Sequence, residues 1–260
     1  MDIEQSIPIL EDENDFQPQV DKNTTNRFVV FLDIMGFKDR VARTSHNKLL
    51  AQLTDFNKSI IGCIGKYQNA DIQLAQFSDS IVLFSNDTTQ KNLRIIAEVA
   101  SDLMRVAIKQ QIPIKGAIAQ GRITCDIPKQ LFFGQALIDA YLLEENIHYY
   151  GILIHHTAEA SILKLEEDIV FKDIKAPLKS GKISHYELSW YLKDSDKSKK
   201  EQLKEIEDAL NNIRQTVSDA PRKYIDNTLE VIENYYKDKG NEIVPVFPFS
   251  TEEEEKPIDS

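Results

Sequence analysis

Two aspartates interrupt apolar runs at positions where a carboxylate does little for packing. Asp33 follows the run 28–32, and Asp79 precedes the run 81–84. Runs rich in β-branched and aromatic residues predict buried strands, and an unpaired charge is costly to bury at the end of a strand. Two such carboxylates on strands that pair are typical ligands of a divalent cation. The pattern therefore predicts a metal site, and it suits phosphoryl chemistry, in which metal ions bind a triphosphate and an attacking oxygen.

A frame of strands and helices must bring these two aspartates together. Apolar periodicity predicts the order strand, helix, strand–turn–strand, helix, strand, helix, strand over residues 28–155. Asp79 lies in the predicted hairpin turn 78–80, and a strand over 113–121 is predicted to end at Gly121. Antiparallel strands with the helices on one face describe an α+β fold with a ferredoxin-like core and an antiparallel-rich sheet.

Composition and charge restrict the class of protein. The 260 residues carry a net charge of −11, which disfavours nonspecific binding to nucleic acid or to anionic membranes. The sequence has no apolar run of the roughly 20 residues that a membrane helix requires, and its N-terminus does not have the pattern of a signal peptide. Cys63 and Cys125 have no metal-binding or redox spacing, so we interpret them as buried thiols. We therefore expect a soluble, cytoplasmic protein with no nucleic-acid or membrane partner.

With both aspartates placed on this order of elements, the chain resembles the class III nucleotide cyclase homology domain. Family members end their first strand in an Asp-Ile-x-Gly-Phe motif, which residues 33–37 match. They carry a second aspartate in a hairpin turn, usually after glycine, whereas here it follows Ser78. A strand that ends in glycine and a helix led by glycine come later, at 116–121 and 134–145. The resemblance covers residues 26–156 and implies the palm fold of this family.

The resemblance implies a metal-dependent cyclase site. Asp33, the main-chain carbonyl of Ile34 and Asp79 would bind two Mn²⁺ or Mg²⁺ ions. One ion would lower the pKa of the ribose 3′-hydroxyl so that its oxygen attacks the α-phosphate, and the other would neutralise the departing diphosphate. Main-chain amides after the first strand would hold the β- and γ-phosphates. The predicted nucleotide-binding residues are Phe31, Met35, Gly36, Phe37 and Lys115.

Four positions depart from the purine cyclases of this family. The lysine four residues before the second aspartate is replaced by Ala75, and the polar or acidic residue three before the glycine-led helix is replaced by Leu131. Both normally help to read the purine, so their loss removes hydrogen-bond partners of the base. The asparagine and arginine of the following helix are replaced by Ile138 and Leu142. This arginine normally stabilises the transition state, so catalysis of the usual arginine-assisted kind is not expected.

Further segments resemble the pyrimidine cyclases of the bacterial Pycsar antiphage system; they lie at residues 113–121, 132–141 and 176–179. This resemblance implies an enzyme that makes cyclic UMP or cyclic CMP from UTP or CTP, with uridylate cyclase favoured, and whose product activates a separate cell-killing effector. Two alternatives stay open: a catalytically inactive module that binds nucleotide or dimerises, and a purine cyclase with different base contacts. A diguanylate cyclase is disfavoured because the hairpin lacks a Gly-Gly-Asp/Glu pattern.

The resemblance also implies a homodimer that binds a nucleoside triphosphate. Each active site of such cyclases takes the metal aspartates from one subunit and the later helix from the other. A symmetric dimer with two sites is the natural assembly of such a chain.

Outside the resembling region the chain divides by composition. We predict a flexible N-terminal arm over residues 1–25, a nucleotide cyclase domain over 26–190, a helical extension over 195–240 and an acidic tail over 241–260. The extension is strongly charged, and its apolar spacing predicts either one helix or two helices broken near Pro221.

Overall fold

The computed structural model describes residues 23–67, 71–165, 171–192 and 198–238. The predicted acidic tail and all but the last three residues of the predicted N-terminal arm lie outside these ranges. The strands are β1 (Thr24–Ile34), β2 (Gln73–Phe77), β3 (Ser80–Phe84), β4 (Ile114–Asp126), β5 (Leu131–Gly134), β6 (Ile152–Ile154), β7 (Phe171–Leu178) and β8 (Gly181–Leu188). The helices are α1 (Phe37–Arg43), α2 (His46–Gly65), α3 (Gln90–Lys109), α4 (Gln135–Asn146), α5 (His156–Ile162), α6 (Lys199–Thr216) and α7 (Ala220–Asp238).

The strands form one mixed sheet in the order β2-β3-β1-β4-β6-β8-β7, with β5 paired to β4. The neighbours run antiparallel except for β4 and β6, which are parallel. The predicted α+β fold, its antiparallel-rich sheet and its C-terminal helical extension are confirmed. Because β1 pairs with β3 on one side and β4 on the other, the strand that carries Asp33 is held on both edges.

Side chains of β1 alternate between two apolar layers, as the period of a strand requires. Val30 and Leu32 pack in the main core with residues of α2, α3, α6 and α7, whereas Val29 and Phe31 pack in a second cluster with α4. Helix α4 therefore departs from the expected placement of the helices on one face, since it covers the opposite face. Its small residue Ala136 is fully buried in this second cluster and permits a close approach to the sheet.

Strand β4 continues past Gly121, where the sequence predicted its end. A Cβ atom at Gly121 would lie 3.4 Å from the Cβ of Ala136, so this glycine permits close packing of α4 and does not stop the strand. Gly116 is packed more tightly. An added Cβ there would overlap Cδ2 of Leu32 and lie 2.6 Å from the main-chain oxygen of Phe31.

The Gly116→Ala substitution is expected to destabilise the protein by about 1 to 3 kcal/mol, because β1 and β4 must move apart to admit the methyl group. Gly62→Ala is the matched control. Gly62 lies inside α2 with open space at its Cβ position, so alanine is expected to add about 0.5 to 1 kcal/mol of stability. Urea unfolding of both variants measures the two changes. A Gly116→Ala protein as stable as the wild type would contradict the close contact between these strands.

The C-terminal extension consists of two helices, which decides between the alternatives left open by the sequence. Helix α6 begins at a capping box in which the Glu201 amide donates a hydrogen bond of 3.3 Å to Ser198 Oγ, and the Ser198 amide donates to the Glu201 carboxylate. The chain then turns at Asp219, which has φ 53°, and α7 starts just before Pro221. Apolar residues of both helices, Leu229 among them, belong to the main core.

Two predictions drawn from composition are tested by the described residues. Cys63 and Cys125 are buried free thiols, as expected. Among the helices of the described ranges, none is long and apolar enough to cross a membrane.

A buried carboxylate lies on β8, away from the two aspartates. The Glu187 side chain is fully buried, and Tyr191 donates a hydrogen bond of 3.4 Å to its Oε2 atom. Burial raises the pKa of Glu187 to about 8, although phenol hydrogen bonds and the charge of Lys172 act in the opposite direction. The folded protein therefore keeps a proton on Glu187 at pH values where the unfolded chain has released it.

Glu187 is expected to make the protein less stable as the pH rises. Its contribution is fully present below the ordinary pKa of 4.5 and is lost as the pH rises through the folded value of about 8. Between about pH 5 and pH 8, the wild type is expected to lose about 3 kcal/mol more than Glu187→Gln, because glutamine does not ionise. Urea unfolding at both pH values measures this difference. Equal losses in the two proteins would contradict a protonated Glu187 in the fold.

Candidate active site

The two aspartates come together at one end of the β1–β3 pair. Asp33 is the penultimate residue of β1, and its partner in β3 is Ser80, which directly follows Asp79. The amide of Ile34, whose carbonyl is the third predicted metal ligand, donates a hydrogen bond of 2.9 Å to the main-chain oxygen of Asp79. Strand register and this hydrogen bond therefore hold the three predicted ligand residues beside one another.

Two residues with positive φ shape the backbone around the aspartates. Ser78 has φ 57° in the β2–β3 turn, and Gly36 has φ 70° between β1 and α1, where glycine avoids the strain of a side chain. Met35 and Phe37 pack against the main core, so this turn offers main-chain atoms to a ligand. The Met35 amide already donates a hydrogen bond of 2.9 Å to the main-chain oxygen of Pro113, which leaves it unavailable for the expected phosphate contact.

The electrostatic environment of Asp33 favours its protonated form in the absence of a cation. Burial is the largest cause, and the negative charges of Glu144 and Asp79 add to it, while the charge of Lys115 opposes them. Together these raise the pKa of Asp33 to about 7. A divalent cation between the aspartates would replace that proton, so metal and proton compete for Asp33 near neutral pH.

The donor set fits a cation that is shared with a phosphate ligand. Over the described parts of the chain, neither Asp33 nor Asp79 has a hydrogen bond or an ion pair within 4 Å for its side chain. The described parts of the chain also contain no group of three or more His, Cys, Asp or Glu residues that could hold a metal ion. Mg²⁺ has six coordination positions, and two carboxylates alone cannot fill them. In Mg²⁺ sites of this kind, phosphate oxygens and water molecules complete the coordination.

A cavity of about 690 Å³ opens beside the aspartates. Phe31, two residues before Asp33, lines it and meets the Tyr141 ring edge-on, with the ring centroids 5.5 Å apart. A mostly apolar cavity with aromatic rings accepts the flat face of a nucleobase. Its lining residues are Phe31, Leu74, Ala75, Gln76, Phe77, Ser80, Val82, Phe84, Ile127, Gln130, Phe132, Leu137, Ile138 and Tyr141.

Two of the four positions that depart from the purine cyclases belong to the wall of this cavity. Ala75 and Ile138 both line it. Leu142 lies one helical turn after Ile138 and is half exposed, whereas Leu131 is exposed and does not line the cavity. Within one subunit, three of these four apolar residues therefore lie in or next to the cavity wall.

The structure places Lys115 beside Asp33 and against the end of α4. It is the β4 partner of Asp33, but its side chain is buried and does not line the cavity. Its Nζ atom lies 2.9 Å from Oε1 of Glu144 and donates a hydrogen bond of 2.7 Å to the main-chain oxygen of the same residue. The ammonium group is therefore engaged by the end of α4, and its predicted contact with nucleotide stays a prediction.

Sequence reasoning missed the burial of Glu144. A carboxylate on a helix is usually solvated, yet this residue is only 4% exposed. The signal lies in its spacing, because the three buried residues of α4 are Ala136, Ala140 and Glu144, four positions apart and thus on one face. Tyr141 was the second omission, and its contact with Phe31 makes it part of the cavity wall.

No family model and no curated protein matches the chain. Solved structures do. The catalytic core of a rhodopsin-guanylyl cyclase with converted specificity, in complex with ATPαS, is 16% identical, with a TM-score of 0.51 over 64% of this chain and 96% of its own. A non-canonical dimeric guanylyl cyclase domain from the aquatic fungus Blastocladiella emersonii is 15% identical, with a TM-score of 0.52 over the same shares of the two chains.

A bacterial light-regulated adenylyl cyclase is 15% identical, with a TM-score of 0.50. The match covers 75% of this chain and 58% of the adenylyl cyclase chain. At these identities the likeness establishes the fold and nothing finer. The protein has the α+β palm fold of class III nucleotide cyclase domains.

Proposed function

We propose that this chain, built on the class III cyclase fold, is a metal-dependent nucleotide cyclase that converts UTP or CTP into the 3′,5′-cyclic monophosphate and diphosphate. The observation that carries the proposal is the convergence of Asp33 and Asp79 beside a cavity with aromatic walls. Two carboxylates held next to each other in this way are typical ligands of Mn²⁺ or Mg²⁺ ions that also bind a triphosphate, which supports the proposal.

The residues of this chain have separate roles in the proposed reaction. Asp33, Asp79 and the Ile34 carbonyl would hold two cations, which would supply Lewis-acid activation of the 3′-hydroxyl and neutralise the charge of the diphosphate. Phe31 and Tyr141, whose rings meet edge-on, form an aromatic wall for the base, and the main chain around Gly36 borders the phosphates.

The preference for a pyrimidine rests on the resemblance to the Pycsar enzymes and on Ala75 in the cavity. Where purine cyclases place a lysine, this methyl group offers no hydrogen bond to a purine edge. We favour UTP over CTP on the resemblance alone. The cyclic product would act as a second messenger in antiphage defence and activate a separate effector that kills the infected cell.

A homodimer belongs to this proposal, and its shared active sites rest on the family resemblance. The fungal guanylyl cyclase domain is also a dimer, of a non-canonical kind. Large apolar side chains are exposed around the cavity, with Phe77 at 85%, Ile138 at 49% and Leu142 at 50%. A contiguous exposed apolar patch of this kind is typical of a protein–protein interface. In the dimer, α4 of one subunit would face the aspartates of the other.

A catalytically inactive module is the second candidate, and a specific observation favours it. Ile138 and Leu142 stand where active relatives supply asparagine and arginine, and no cation from α4 reaches the cavity of the described subunit. Such a protein would keep the fold, bind nucleotide or dimerise, and have no turnover.

The deciding experiment incubates the purified protein with each of the four nucleoside triphosphates and Mn²⁺, and resolves the products by mass. Cyclic UMP or cyclic CMP supports the proposal and identifies the base. Cyclic AMP or cyclic GMP would replace it with a purine cyclase. Absence of product from all four, also after addition of extract from phage-infected cells, would favour the inactive module.

A further inference from the structure

The buried pair of Lys115 and Glu144 carries two charges that the proposed reaction does not use. Their side chains are 6% and 5% exposed, and the Nζ–Oε1 distance is 2.9 Å. Each charge loses its hydration in such a place, so a pair of this kind adds little net stability compared with apolar residues of the same shape. The position of the pair, beside the candidate metal site, suggests a role other than stability.

Lys115 also serves as a cap for α4. Its Nζ atom donates hydrogen bonds to the main-chain oxygens of Glu144, at 2.7 Å, and of Glu145, at 3.5 Å. Both carbonyls belong to the last turn of the helix, and the Glu144 oxygen also accepts a hydrogen bond of 3.0 Å from the Ile147 amide. The helix dipole also favours a cation at this end. One ammonium group thus fixes the end of α4 by charge and by hydrogen bonds.

The backbone of Lys115 belongs to β4, which pairs with the strand that carries Asp33. Lys115 is the β4 partner of Asp33, and cross-strand partners lie side by side on one face of a sheet. Its neighbour Gly116 lies so close to Leu32 that a methyl group cannot enter between β1 and β4. The backbone of β4 is therefore a rigid base from which the lysine reaches α4.

We propose that Lys115 and Glu144 are positioning residues whose buried ion pair fixes α4 on the sheet of its own subunit. The pair would thereby fix both the Tyr141 wall of the cavity and the face of α4 that meets the aspartates of the other subunit in the proposed dimer. This inference rests on the proposed function. It assigns to Lys115 an action through Glu144 and not a contact with substrate. A displacement of about 1 Å between reacting groups is enough to lower a rate up to about 100-fold.

The test uses variants that separate positioning from folding. Lys115→Met alone leaves Glu144 buried without a partner and is expected to destabilise the fold. The double variant Lys115→Met/Glu144→Leu removes both charges at similar volume, so it is expected to fold with a melting temperature within about 5 °C of the wild type. Lys115→Arg keeps the charge, and Glu145→Gln changes an exposed carboxylate one residue further on as the matched control.

Steady-state kinetics with the best triphosphate then decide the role. We expect the double variant to lose about 10- to 100-fold in kcat while KM stays within about threefold, because binding contacts are kept and alignment is lost. Lys115→Arg is expected to recover most of kcat, and Glu145→Gln to match the wild type. A folded double variant with unchanged kcat would reduce the pair to a structural feature. A rise in KM at constant kcat would make Lys115 a substrate ligand.

Hydrogen exchange keeps this test independent of the proposed function. If the wild type turns over no triphosphate, the cyclase proposal fails and the amides in the last turn of α4 decide the inference. Their exchange is expected to be at least about tenfold faster in the folded double variant than in the wild type, because the cap is lost. Equal exchange in the two proteins would show that Lys115 does not hold α4.

Discussion

Replacement of Asp79 by alanine is expected to abolish formation of the cyclic nucleotide, with kcat lowered roughly 1,000-fold or more. Asp33 and Asp79 are the two carboxylates that the β1–β3 pair brings together. A single carboxylate leaves the cations bound by little more than the phosphates, so the charge that develops on the attacking and leaving oxygens is not stabilised. The measurement is the mass-resolved assay with Mn²⁺ at saturating triphosphate.

A second measurement reports on the site without catalysis. The charge of Asp79 is one cause of the raised pKa of Asp33, which lies at about 7, so Asp79→Ala is expected to lower the pKa of Asp33. Carboxyl ¹³C NMR titration of metal-free protein measures this shift. Burial, the larger cause, is unchanged by the substitution, so the pKa is expected to stay above the ordinary 3.8.

Asp71→Ala is the matched control, because Asp71 is an exposed aspartate shortly before β2. It is expected to keep both the wild-type rate and the wild-type pKa of Asp33. Cyclase activity that survives in Asp79→Ala would contradict the assigned metal role. Activity lost equally in both variants would point to a general effect on folding.

The placement of the aspartates could be predicted because it depends on local patterns. An apolar run that ends in Asp33, and a five-residue strand that leads into the turn at Ser78 and Asp79, are features of single segments. Strand alternation then fixes which side chains share a face. The side of the sheet that α4 covers, by contrast, could not be predicted from the sequence of the helix. Its apolar residues surround the helix, with buried Ala136 and exposed Leu142 both among them, so its period did not identify a buried face.

The pairing of Lys115 with Glu144 could not be predicted, because the partners are 29 positions apart on a strand and a helix. Lys115 and Glu144 come into contact only because Lys115 pairs with Asp33 across β1 and β4, and because α4 packs on the face of the sheet opposite the main core. Considered singly, each residue has the type expected of solvent-exposed positions. The helix break before α7 was similarly ambiguous, since Pro221 is compatible both with a kink and with the first turn of a new helix.

The double substitution Ile138→Asp/Leu142→Asp is expected to convert the protein to a monomer and to lower activity at least about 100-fold. The two residues are four positions apart on α4, so they project from one face, and both are half exposed in the single subunit. An interface that buries them would have to bury two unpaired carboxylates, which costs several kcal/mol. Sedimentation velocity measures the mass, and the mass-resolved assay measures the activity.

The control introduces two aspartates on α2, a helix on the face of the sheet opposite α4. Leu50 and Ile61 are exposed on α2, at 57% and 59%, and α2 packs on the face of the sheet opposite α4. Leu50→Asp/Ile61→Asp is therefore expected to remain dimeric and active. A monomeric α4 variant with full activity would contradict an active site shared between subunits, because each subunit would then be complete alone. A dimeric and active α4 variant would instead place the interface elsewhere, since two new carboxylates on this helix would have stayed in water.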